Sequence, residues 1–310
     1  MPVTERLYSI AADIYDRIDR YWHQNAVRKI ISRFLALVFI FSLMAGFFVH
    51  EKIIPSTGIA AYFKNPFVAI EITFTVLLVI ELFDLIFSIP VSVSQSVIKQ
   101  FELLSLIFIR MGLKEFSHLH KLFDWNEMKS IVTAMFLYGL GALLIFMLIG
   151  LNHHIKRKLH VREYFREYPY YKKVKKTIAL LLVIVFITIL ADNIIRPLRG
   201  IQPDLSFKQF YTALIFSDIL ILIISMRYIL DYHSMFRYSG YILTTIFIRI
   251  ALTAAPYYNI LIGIGAVVYL ILLTWTYNYF MNRKISKKPR YLHYHAGERK
   301  FKFAQKNYGT

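Results

Sequence analysis

The apolar stretches of this chain are long enough to cross a bilayer, yet they carry ionisable residues: Glu71, Glu81, Asp84, Glu102, Arg110, Asp192, Asp218, Arg227 and Arg249. A charge at mid-bilayer costs a few kcal/mol on insertion scales. A chain carrying several of them must pair them, hydrate them or use them. The composition points the same way, since 57% of residues are hydrophobic and only 18% charged, where a soluble domain has about a quarter charged. The expected fold is all-α: a polytopic integral membrane bundle of helices.

Seven apolar segments are clear from about 20-residue spans: 34–49, 67–89, 131–151, 178–195, 210–230, 241–255 and 260–280. Seven crossings conflict with the charge distribution. The loop 152–176 and the tail 281–310 each carry nine Lys/Arg, and short loops rich in these residues stay cytoplasmic. With seven spans and the N-terminus inside, both would lie outside. An eighth crossing at 97–113 resolves the conflict, its apolar core hidden from a hydropathy window by Glu102 and Arg110. Pro90 marks the break before it, because a proline disrupts the helical ladder. Both termini then lie in the cytoplasm. The alternative is a surface or re-entrant helix at 91–113, with seven spans and the N-terminus outside.

This reading divides the chain into an amphipathic cytoplasmic N-terminal segment (1–30), an N-terminal membrane bundle (31–151), a basic cytoplasmic loop (152–176), a C-terminal membrane bundle (177–280) and a basic cytoplasmic tail (281–310). Leu7, Ile10, Ile14, Ile18 and Trp22 recur at helical spacing, so residues 6–29 are expected to form a helix running into the first span. The first residues lack the apolar core of a signal peptide, and the first span is expected to direct insertion itself. Cysteine is absent, which excludes disulfides and thiolate chemistry. The formal charge of +18 points to anionic lipid headgroups at the basic loop and tail rather than to nucleic acid. An integral membrane location follows, the plasma (inner) membrane if the chain is bacterial. A homo-oligomer or a cytoplasmic protein partner is compatible with the same surfaces.

At 1.5 Å per residue, the embedded charges sort into three depths. Asp218 and Arg249 fall near the midplane on consecutive spans and are expected to pair. Glu81 and Asp84, spaced i,i+3 on one helix face, form an inner acidic station with Glu102 and Arg227. Asp192 with Asn193, Glu71, Arg110 and Arg196 belong to the outer part. Acids in low dielectric with a few always-charged arginines suit proton coupling or ion selection. The expected function is therefore an ion or proton channel or transporter, with Asp218 and Arg249 as its central pair and no cofactor.

Two other readings remain. One is a structural or signalling subunit that docks a cytoplasmic partner through the basic loop and tail. The other is a histidine-ligated metalloenzyme built on His153, His154 and His160, since imidazole suits iron and zinc. Their spacing does not repeat the rows that place ligands on one helix face, and HExxH, P-loop, Rossmann and nucleophile-elbow motifs are missing. An enzyme is thus disfavoured. A voltage sensor needs arginines at every third position, and a potassium filter needs TVGYG; neither pattern is present. GLGA at 139–142 reads as a close helix contact of small residues.

Overall fold

A computed structural model describes residues 3–51, 67–118, 125–158, 169–196, 207–229 and 231–286. These residues form nine α-helices and no strand: α1 (Val3–Trp22), α2 (Asn25–His50), α3 (Val68–Phe87), α4 (Val93–Lys114), α5 (Trp125–Lys158), α6 (Pro169–Ile195), α7 (Lys208–Met226), α8 (Tyr232–Thr253) and α9 (Tyr258–Ser286). A short 3-10 turn, Glu115–His118, follows α4.

Five helices, α2, α5, α6, α7 and α9, are long and apolar enough to cross a membrane. Their apolar side chains largely face outward. Phe34, Leu37, Phe41 and Phe47 of α2, Phe136 and Phe146 of α5, and Leu261 and Leu272 of α9 are all exposed. A water-soluble monomer rarely shows an apolar patch of more than a few hundred Å². The interior, by contrast, holds Arg249 and Lys175 at 0% exposure, Asp218 at 4% and Glu81 at 5%. Apolar outside and ionised inside is the pattern of a membrane-like helical protein.

Charge is what keeps α3, α4 and α8 off that apolar set. Glu71, Glu81 and Asp84 lie on α3, Lys99, Glu102, Arg110 and Lys114 on α4, and Arg237 and Arg249 on α8. Each is still 20 residues or longer. The break between α3 and α4 falls at residues 88–92, around Pro90. Helix α4 runs through the centre, packed on α3, α5 and α8. Its Phe101, Leu104 and Phe108 are fully buried. Small residues set the closest approaches: a Cβ on Gly141 of α5 would lie 2.6 Å from Ile260 of α9, and one on Gly240 of α8 would meet Leu273 at a similar distance. Gly139 has nothing within 4 Å, so of the GLGA glycines only Gly141 makes the helix contact.

Several expected boundaries move. Helices α5 and α6 run well into the basic segment 152–176, because nothing at 152–158 breaks a helix and Pro169 is suited to a first helical position. Residues 159–168, His160 among them, and the tail from 287 lie outside the described residues. The segment 231–240 is mostly helical as well, since Asp231 caps α8 by accepting from the Ser234 amide at 3.1 Å. The N-terminal helix does not run into the first span. The chain is extended at Gln24, φ −68° and ψ 141°, and α1 folds back onto α6. The reason is its docking: the Tyr15 hydroxyl donates to the Phe87 carbonyl at 2.9 Å, Trp22 Nε1 donates to Asp84 at 2.6 Å, and Lys176 meets Asp16 at 2.5 Å. A continuous helix could not make these contacts. Leu7, Ile10, Ile14 and Ile18 remain exposed as one stripe, while Trp22 at its end packs on Phe83 and bonds Asp84.

Candidate functional site

Asp218 of α7 and Arg249 of α8 come together in the middle of the bundle, Arg249 Nε lying 3.8 Å from Asp218 Oδ2. Arg249 is the largest fully buried side chain among the described residues. Thr245, one turn before it on α8, stands beside the same carboxylate. Among the described residues no hydrogen bond reaches any of the three guanidinium nitrogens, and Asp218 Oδ2 likewise lacks a donor. The two charges therefore face each other without the close, forked geometry that an arginine normally makes with a carboxylate. In low dielectric such a pair is sensitive to any third charge that reaches it.

A second pair lies on the next helices. Arg110 of α4 bonds Glu81 of α3, whose side chain is 6% exposed. About one turn further along α4, Lys114 meets Glu71 at 2.9 Å. The face responsible is visible on α3, where Glu71, Phe74, Leu78 and Glu81 follow one another at helical spacing. Sequence reasoning put Glu81 at the inner depth and Arg110 at the outer, yet the two are bonded. It also put Glu81 with Asp84. Three residues of helix turn the second carboxylate by about 60°, which sends Asp84 to Trp22 instead. Lys114 sits just past the segment examined for an extra span. Its i,i+4 relation to Arg110 is the signal that would have found it.

These groups surround a cavity of about 270 Å³. Its walls are α3 and α4 with Glu81, Arg110 and Lys114, the first turn of α7 with Lys208 and Tyr211, and the last turn of α8. Tyr211 is 3% exposed. Its phenol is within electrostatic reach of Arg249, so it stands between the cavity and the central pair. Residue Phe207, held in the left-handed region at φ 50° and buried against Phe186, turns the chain so that α7 begins at this cavity. Such a conformation costs a non-glycine residue about 1–3 kcal/mol.

At the other end of the bundle a larger cavity of about 910 Å³ opens between α1, the α3–α4 turn, α4 and the start of α6. Glu102 and Asp84 line it together with Asp16, Asp19, His23, Lys99 and Lys172. Lys175, missed from sequence because it sits within a basic run, is buried here, donating to the Val91 carbonyl at 3.1 Å and lying over the Tyr171 ring. It holds the α3–α4 turn against α6. Leu82, Phe101, Leu104, Phe186 and Phe210 are fully buried in the one hydrophobic core.

The remaining expected residues lie apart. Asp192 bonds Arg196 at 2.7 Å on an exposed surface, with Asn193 beside it. Arg227 is exposed at the end of α7 and forms no ion pair among the described residues. His153 and His154 are exposed on α5. Among the described residues no three His, Asp or Glu converge as a metal site. Comparison with family models, curated proteins and solved structures finds no match to the chain.

Proposed function

We propose that the chain is an eight-span membrane protein that conducts or transports an ion or proton. The observation that carries this reading is the buried Asp218–Arg249 pair, fully enclosed yet poorly bonded, next to a charged cavity. Intramembrane ionisable residues are expensive and tend to mark ion or proton routes. Helices α2 to α9 are the eight crossings. Among the charges of α3, α4 and α8, Glu81 and Arg249 are buried and each faces an oppositely charged partner. In this arrangement the termini and the basic ends of α5 and α6 face the cytoplasm, of the plasma (inner) membrane if the cell is bacterial. The 910 Å³ cavity is the inner vestibule and the 270 Å³ cavity the outer one.

Passage requires Asp218 and Arg249 to separate, and Thr245 and Tyr211 are the polar groups placed to receive them. The test is reconstitution in liposomes with readouts for pH and ion flux. Asp218→Asn should abolish flux while insertion and expression persist; unchanged flux would remove Asp218 from the mechanism.

A further inference from the structure

We infer that the 270 Å³ cavity between α3, α4, α7 and α8 binds a small inorganic anion of the halide or nitrate kind. This rests on the transport reading above and names the class of ion. Four observations converge on it.

The cavity is lined by three cations, Arg110, Lys114 and Lys208, and by one carboxylate, Glu81. Glu81 is already held by Arg110, and Lys114 by Glu71. Lys208 has no carboxylate partner among the described residues and is exposed at the mouth. Any small ion entering therefore meets uncompensated positive charge. Pores that select anions are lined in this way.

Tyr211 supplies a donor at the bottom. It lines the cavity while almost wholly buried, and a phenolic hydroxyl can donate to a ligand that accepts. The α7 N-terminus adds to this. The Phe207 carbonyl takes the Phe210 and Tyr211 amides, while the Lys208 and Gln209 amides, like those of any helix start, point out of the ladder. That end carries partial positive charge.

Behind Tyr211 stands Arg249, with none of its guanidinium nitrogens hydrogen-bonded. An arginine has five N–H donors and no acceptor, so its unused groups attract an anion, while the unpartnered oxygens of Glu81 and Asp218 are each faced by an arginine. A cation or proton would find only Glu81 and Asp218 there, each already facing an arginine. The volume suits an ion with part of its hydration shell.

The test uses the full-length chain in vesicles of phosphatidylcholine alone, so that no anionic lipid is present. Chloride, nitrate, inorganic phosphate, potassium and proton gradients are applied in turn. Chloride or nitrate flux should persist when potassium is replaced by an impermeant cation. Lys208→Gln, an exposed position that should not disturb folding, and Tyr211→Phe should each lower that flux about tenfold, as expected for loss of a focusing charge or donor. Flux carried by potassium or protons alone overturns the anion inference and leaves the transport reading standing. Anion flux unaltered in both variants removes this cavity as the site. No flux of any ion by correctly folded protein removes the transport reading itself.

Discussion

At the scale of single residues, two buried ion pairs tie neighbouring helices together. Glu81 meets Arg110 between α3 and α4, Asp218 lies 3.8 Å from Arg249 between α7 and α8, and in both pairs buried donors and acceptors have no hydrogen bond among the described residues. Breaking a buried pair from one side leaves an uncompensated charge and costs on the order of 3 kcal/mol or more, whereas replacing both partners is often neutral. Glu81→Gln and Arg110→Met should therefore each lower the unfolding temperature in detergent, and the double variant should be more stable than the sum predicts. Additive losses would mean that the two side chains do not interact. The sequence showed that these charges exist and that they need partners. Depth on consecutive helices paired Asp218 with Arg249, as found, but did not pair Glu81 with Arg110, because a helix face fixed by 3.6 residues per turn is aimed by packing. Glu81 and Asp84, three residues apart, end on different neighbours for that reason.

At the scale of elements, α1 is the helix whose fate sequence and structure describe differently. Its apolar stripe was legible, and it is exposed, as fits a helix lying against lipid headgroups. What turns it back onto the bundle is the opposite face, with Tyr15, Asp16 and Trp22 docked on α3 and α6. Burial, and then the carboxylates of Asp19 and Asp16, push the Tyr15 phenol above its ordinary value of 10. A folded state that keeps this proton while the undocked helix loses it becomes less favourable as pH rises past that ordinary value. With Trp125 and Trp275 replaced by phenylalanine, Trp22 alone reports docking. Its emission should shift to the red above pH 10 as α1 releases, and Tyr15→Phe should remove the pH dependence. The break at Gln24 carries no proline or glycine, so composition gave no warning of it.

At the scale of the whole molecule, the proposed eight crossings fix which side of the membrane each helix end faces. The chain has no cysteine, so single cysteines can be placed and labelled without background. Eight crossings require a cysteine at His118 to react from outside and one at His154 to react from inside; labelling of both from the same side would rule that topology out. The all-helical class, the apolar helices and the break near Pro90 followed from the sequence, because hydropathy and proline act locally along the chain. The list of charges that must be accommodated followed for the same reason. Only the tertiary structure decided that Glu81 meets Arg110 and that Lys114 and Lys208 gather with Tyr211 around one cavity. These are juxtapositions between helices, set by which faces pack and by how far each helix is rotated, and a one-dimensional pattern does not specify that rotation.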